Sequence, residues 1–459
     1  MSLSNLSRMK REAYYLSALL LFLLGAPMIV DATGRTLSAD PESYRQLLRE
    51  LKPGDTLRLA AGEYRQGLPV RRLEGTRDAP IVIRGPAAPA VAVFIARPGA
   101  NTVSILDSAH IVIRDLTLDG RNVPVDGVKA EGHARFAHHI TLENLTIVNH
   151  GAYQANVAIS TKCPAWGWVI RGNRIHRAGT GMYLGNSDGS RAFYDGLIEN
   201  NLVTDPLGYA IQIKHQHARE SLAIAPHGRF VTIIRHNVLS KSNGGSSGQA
   251  ARPNLLVGHW PRTGEGSEDE YLIYGNFLHD NPHEALFQGE GNIAFYTNVL
   301  LNTRGPGIHI QPHNDVPRDV RILHNTIITS GDPIVVRLGE NPPSTAQWVK
   351  GNALFAPLPA RGGIQIANLK FSLDQAAATL AAVDSGRLPL DPYPKDARLK
   401  CAPVLADLFE ALVDGGCDFN GRSRVPGYCG AYAGSGRNPG WLPAREVKPR
   451  TICRASVPR

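Results

Sequence analysis

Seven segments share one pattern of apolar and polar positions: an alternating apolar stretch, an asparagine, one further residue, an apolar position, a turn and a second apolar stretch. They are "WVIRGNRIHRAGTGMYL", "GLIENNLVTDPLGYAIQI", "VTIIRHNVLS", "YLIYGNFLHDN", "IAFYTNVLLNTRGPGIHI", "VRILHNTIITSGDPIVV" and "WVKGNALF". Period-two alternation over three to six residues predicts short strands, and recurrence of the whole unit predicts coils of a solenoid. The aligned asparagines, Asn173, Asn201, Asn237, Asn276, Asn298, Asn325 and Asn352, are 28, 36, 39, 22, 27 and 27 residues apart, so two coils carry long insertions. Two earlier segments, "HIVIRDLTLDG" and "HITLENLTIVNHG", put leucine at the asparagine position. An asparagine at a strand end bonds the backbone of a tight turn and tolerates left-handed backbone, and stacked asparagines can form a ladder. No single coil can bury its apolar face alone, so the coils must stack and the two ends need covers. "PESYRQLLRELKPGDTLRLAAGEY" reads as a short amphipathic helix followed by strands. "SLDQAAATLAAV" reads as a helix with a serine capping signal.

Aligning the second strand of each coil gives a further register through "GVKAEG", "NVAISTK", "GMYLGNS", "AIQIKHQ", "NLLVGHW", "ALFQGEG", "GIHIQPH" and "PIVVRLG". Residues at one position of successive coils stack about 4.8 Å apart. One outward column is then Lys129, Ala158, Tyr183, Gln212, Leu256, Phe287, His309 and Val335. The next is Glu131, Ser160, Gly185, Lys214, Gly258, Gly289, Gln311 and Arg337, with Lys162, His215, His259, Trp260, Glu290 and His313 in the turn beyond. The glycines flanking Lys214 would leave room for a sugar, and basic and aromatic groups surround that gap. Trp260 reads either as a sugar-stacking platform or as a packing residue.

Composition narrows the class of protein. The 459 residues are 43% hydrophobic and 19% charged, with 46 glycines and 32 prolines, which excludes a disordered chain and favours many short strands joined by turns. Lys10 and Arg11 precede the apolar "LSALLLFLLGA" and the small-residue "VDA", so residues 1–32 read as an export signal and the mature chain begins near Thr33. The expected divisions are a cap with the first coils over 33–100, a solenoid core over 101–356, and a C-terminal cap and tail over 357–459. Four of the five cysteines, Cys401, Cys417, Cys429 and Cys453, fall in that tail. In an exported chain they predict two disulfides with three possible pairings, leaving Cys163 as a buried thiol. The expected location is secreted or periplasmic, with no stable membrane insertion after signal cleavage. A net charge of +9 without any nucleic-acid-binding motif points to a polyanionic carbohydrate as partner rather than nucleic acid.

The "PGDTLRLAAGEY" opening, the Gly-Asn coils and the closing "DFNGRSRVPGYCGAY" resemble the secreted right-handed parallel β-helix proteins of the pectate-lyase-like superfamily, and within it the alginate and chondroitin lyases. The resemblance covers roughly Ser38 to Tyr432. It implies an all-β, right-handed parallel β-helix with short capping helices, acting on an acidic polysaccharide. β-Elimination of a uronan needs a cation against the C5 carboxylate, a base for the C5 proton and an acid for the leaving oxygen. Lys214 or His215 is the expected base, Arg337 the carboxylate neutraliser, and Tyr183 or His309 the acid. Gln212, His259, Trp260, Gln311, His313 and Lys162 are expected to bind substrate. In the resembled lyases the base is a lysine near a strand end, where Lys214 stands. Their Arg-His-Gly stretch is absent here. The paired aspartates of the related hydrolases are also missing, which disfavours hydrolysis. An epimerase would use similar proton-abstraction chemistry, and a non-catalytic carbohydrate-binding or surface-assembly β-helix is the alternative of a different class. No metal follows from the residues alone. Calcium is the cation that the resemblance suggests, with Asp188, Asp195, Glu290 and Asp315 as oxygen donors.

Overall fold

The computed structural model describes residues 34–220, 222–339, 345–383, 388–402 and 412–453. The expected export segment, 1–32, lies outside the described residues. Among the described residues, no helix is long and apolar enough to cross a membrane.

Strands only three to seven residues long cannot pair locally when each is followed by a turn to a new direction, so each pairs with its counterpart one coil away. Val157–Thr161, Val169–Arg171 and Arg174–His176 form one such coil, and Thr180–Leu184 begins the next. The result is three long sheets of 15, 10 and 12 strands, in which every pairing along the stack is parallel. The chain is an all-β, right-handed parallel β-helix: the coils stack as the repeat predicts, in the architecture that the resemblance implies. Its interior is a continuous apolar column, with Ile83, Ile113, Leu142, Ile170, Ile198, Ile234 and Ile273 all fully buried. Stacked rings such as Phe287 on Phe295, 4.4 Å between centroids, fill its wider turns.

The asparagines form the ladder that their recurrence predicts. Each Nδ2 donates to the Oδ1 of the next, at 2.9 Å from Asn173 to Asn201, 2.9 Å from Asn201 to Asn237 and 3.0 Å from Asn237 to Asn276. The series continues through Asn298, Asn325 and Asn352. Each Oδ1 also accepts the backbone N–H of the preceding asparagine, and each Nδ2 also donates to a strand carbonyl, as Asn237 does to Ile198. The ladder runs one rung further than the sequence pattern indicated, to Asn368. Below Asn173 the stack becomes apolar, with Leu145 and Leu116 buried in the same row.

Both ends are covered. The helix Tyr44–Leu48 buries Tyr44 and Leu48, and Tyr44 packs edge-on against Tyr64 and Phe94 of the first coils. At the other end the helix Gln375–Thr379 begins where Ser372 bonds Gln375 through both its backbone and its hydroxyl. The tail is stapled by Cys401–Cys429 and Cys417–Cys453, which selects one of the three pairings, while Cys163 is a free, buried thiol. The backbone of Gly430 and Ala431 bonds Gly351 and Thr326, tying the tail to the late coils.

Candidate active site

The 10-stranded sheet carries the outward columns, and its observed pairing corrects two steps of the sequence alignment. Lys129 pairs with Ser160, which pairs with Tyr183, so Ser160 replaces Ala158 in the first column. A slip of two residues keeps the same face, and alternation alone cannot detect it. Leu256 pairs with Gln288, which pairs with His309, so Gln288 replaces Phe287. Ala285 and Leu286 are both apolar and both buried, so the sequence there gives no parity, and Phe287 points into the core. The first column is Lys129, Ser160, Tyr183, Gln212, Leu256, Gln288, His309 and Val335.

The same shifts rebuild the second column. Gly289 pairs with Val257 and Ile310 and faces inward, where a side chain would strike Ile293. The positions that follow the paired strands are Glu131, Lys162, Gly185, Lys214, Gly258, Glu290, Gln311 and Arg337. Lys162 and Lys214 therefore flank Gly185 in one row. Gly258 is required for packing rather than for a sugar, since a Cβ there would lie 2.3 Å from the His215 backbone nitrogen.

A depression opens over this row, lined by Tyr209, Gln212, Lys214, His215, Leu256, Gln288, Glu290, Gln311 and His313. Lys214 is half-buried, and its ammonium makes no hydrogen bond or ion pair among the described residues. Burial lowers its pKa from the ordinary lysine value, with the Glu290 carboxylate opposing that shift. Glu290 accepts from the backbone N–H groups of His259, His313 and Asp315 at 3.1, 2.7 and 3.2 Å, and also from that of Asn314. Its role is to hold the turn at 313–315 against the sheet. Lys162 lies with its ammonium 3.6 Å from the Tyr183 ring centroid, and burial, reinforced by Lys129, brings its pKa down to about 8. Burial likewise pushes His215 down to about 4, with Lys214 and His259 adding repulsion, so its imidazole is neutral at neutral pH. His259 donates Nδ1–H to the Trp260 carbonyl at 2.9 Å, which fixes its tautomer and leaves Nε2 as an acceptor when the ring is neutral. Gln212 Oε1 and His215 Nδ1 are buried polar atoms without a hydrogen-bond partner.

Not every expected site residue joins this group. Lys162, Tyr183, Gln212, Lys214 and His215 come together over three successive coils, His259 stacks on His215 with 5.5 Å between ring centroids, and Gln311 and His313 line the far side. Trp260 is fully buried and stacked on Tyr271 at 4.4 Å, so the packing reading holds and no sugar reaches its ring. Gln212 is covered as well, with 4% of its surface exposed and its Oε1 buried, although it borders the depression. His309 stands three coils from Gln212 in the first column, roughly 14 Å away at strand spacing, and its Nε2 is buried without a partner. Arg337 is exposed and stands four coils from Lys214, roughly 19 Å away, too far to neutralise a carboxylate on the same sugar. The four acids named for calcium do not assemble. Glu290 is taken by backbone amides, Asp315 pairs with Arg262, Asp188 closes its own turn on Ser190, and Asp195 is largely buried near Asp269 and Arg219. Sequence reasoning missed Gln288, hidden by the one-residue slip, and Tyr209, a half-buried residue just before its strand.

One family model, described as "Disaggregatase related", matches residues 138–256, well under half of the chain. A search of curated proteins finds no match. Among solved structures, the chain is similar to a GH136 lacto-N-biosidase from Eubacterium ramulus, at 12% identity and a TM-score of 0.43, covering 74% of this chain and 68% of that one. It is also similar to an alginate lyase from Paenibacillus sp. str. FPU-7, at 16% identity and a TM-score of 0.35, covering 74% and 98%. A PL6 family alginate lyase matches at 15% identity and a TM-score of 0.46 over 79% of this chain, which spans 55% of that protein. The fold assignment rests on the three parallel sheets themselves: the chain has the architecture of the right-handed parallel β-helix proteins.

Proposed function

We propose that this protein is an exported enzyme that cleaves an acidic, uronate-containing polysaccharide by β-elimination at the row Lys162–Gly185–Lys214. The observation that carries the reading is Lys214 itself: a half-buried lysine with no ionic partner, its pKa lowered by burial, bordering a depression whose lining carboxylate, Glu290, is already held by backbone amides. A pair of free carboxylates, which hydrolysis needs, is not among the lining residues. The two tail disulfides and the expected signal support an oxidising, extracytoplasmic location.

In this reading the uronate carboxylate sits over Gly185 between the side chains of Lys162 and Lys214. Lys162 takes the neutralising role that the sequence had given to Arg337, since it is mostly protonated below about pH 8. Lys214, in its neutral form, removes the C5 proton, the C4–O4 bond breaks as the C4–C5 double bond forms, and Tyr183 protonates the departing O4. Gln212, Gln288 and Gln311 supply amides for sugar hydroxyls. Incubation with alginate, pectate and glycosaminoglycans, followed by ultraviolet absorbance of unsaturated uronates, tests the proposal. At least one polymer is expected to give absorbance that grows with time. Polymer binding without any cleavage would instead make the protein a carbohydrate-binding β-helix.

A further inference from the structure

Away from the 10-stranded sheet, three histidines converge at the bend leading into the 15-stranded sheet. His110 lies in the strand Ser108–Arg114, and His138 and His139 lie in the strand Ala137–Glu143 one coil on. The two strands pair on either side of His110 and His139, but those two residues have no partner in the ladder and take positive φ of 54° and 51°. Each coil therefore makes the same bulge, and stacking the bulges places the His110 ring on the His139 ring, 4.4 Å between centroids. His138 turns toward them, with its Nδ1 2.8 Å from His139 Nδ1. Its far face lies on Trp166 at 4.6 Å, and Trp166 is itself fixed in the core. In the following coil the bulge position is Gly167, φ 66°, and any side chain there would strike the His139 ring. The cluster is thus ordered by packing on both sides.

One nitrogen from each ring lies within 4.8 Å of the other two, and these are the residues that could form a metal-binding group among those described. We propose that His110, His138 and His139 form a binding site for a divalent transition metal of the zinc class, with the remaining position left to water. Imidazole nitrogens suit Zn, Ni and Cu and not the hard, oxygen-seeking calcium. Metal–nitrogen bonds of about 2.0–2.1 Å bring three ligands to roughly 3.3 Å of one another, a closure that side-chain rotation supplies. Without a cation, one of the facing Nδ1 atoms of His138 and His139 must carry hydrogen. With it, both rings carry hydrogen on Nε2 and both lone pairs point inward. Arg77 is the nearby charge that opposes a cation here.

The site would cross-link two successive coils and is separate from the Lys214 row, so its test does not depend on the enzymatic reading. Asparagine tolerates the left-handed backbone at both bulges, so His110→Asn and His139→Asn remove ligands without straining the chain. Full-length protein without a histidine tag, freed of metal by a chelator, is titrated calorimetrically with Zn²⁺ and, in parallel, its melting temperature is measured with and without Zn²⁺. One ion per chain is expected, with affinity at least tenfold weaker in either single variant and absent at this site in the double variant. The Zn²⁺-dependent rise in melting temperature should disappear with it. Equal affinity and stoichiometry in the wild type and the double variant would overturn the proposal, as would no binding by the wild type.

Discussion

The asparagine row and the Lys214 row have the same spacing and opposite logic. Inside, each rung repeats one residue type because the bond it makes is made to a copy of itself: Asn276 donates to Asn298 as Asn298 donates to Asn325. Outside, each rung differs, and the row passes from Glu131 through Lys162, Gly185 and Lys214 to Glu290 and Arg337. Repetition builds the scaffold, and departure from repetition on an outward row marks where chemistry can be placed. In a solenoid the two can be altered independently, because a substitution on an outward row removes no rung of the ladder.

The sharpest division is expected from Lys214→Ala. It shortens an outward side chain, so circular dichroism and melting should be unchanged, while turnover on the cleaved polymer should fall by roughly two orders of magnitude or more, as loss of a general base typically does. Near wild-type turnover would reduce Lys214 to a solvated charge and move the search to His259. The converse change, Asn276→Ala, removes the acceptor of the Asn237 backbone N–H and Nδ2 and the donor to the Ile234 carbonyl and Asn298 Oδ1, all in the core. It should cost about 2 kcal/mol in chemical denaturation, with KM retained in the folded fraction. A loss of activity larger than the loss of folded protein would show that the two rows are not independent.

How much of this could be read from the chain differs between the rows for the same physical reason. The asparagines were legible because one residue type recurs, and the seven predicted rungs all stand in the ladder. Asn368 was missed because it follows Asn352 by 16 residues, shorter than any other coil. The outward row was legible only where alternation keeps parity. The pairs Tyr183–Gln212 and Gln212–Leu256 were read correctly, whereas the slip at Ala158 kept the face and the doublet Ala285–Leu286 hid it. The histidine cluster escaped because His110 and His139 occupy bulges, which interrupt the alternation that sequence reading follows. The reach of Arg337 was misjudged because a sequence column lists neighbours without their distances.

Smaller effects sharpen the outward row. If Lys162 neutralises the substrate carboxylate, affinity for the acidic polymer should fall as pH rises through about 8, because the group is cationic below that value and neutral above it. Losing one such contact is worth up to about 1 kcal/mol, or roughly fivefold in Kd. Lys162→Arg, which stays charged, should flatten that dependence, and a pH profile unchanged by the substitution would remove Lys162 from the role. The smallest change is expected from Arg337→Ala, four coils from Lys214. Turnover on short oligomers should stay within about twofold, since groups this far apart act independently. A large loss would mean that the substrate is gripped well beyond the Lys162–Lys214 notch.

The central claim, elimination rather than hydrolysis on a lysine-centred row, is tested most directly by the masses of the fragments released from a defined uronate oligomer. Elimination adds no water across the broken bond. Each cut should therefore yield one fragment lighter by one water than its hydrolytic counterpart, in wild-type reactions and not in those with Lys214→Ala. Fragments that all carry the added water, or wild-type levels of unsaturated product from Lys214→Ala, would contradict the account.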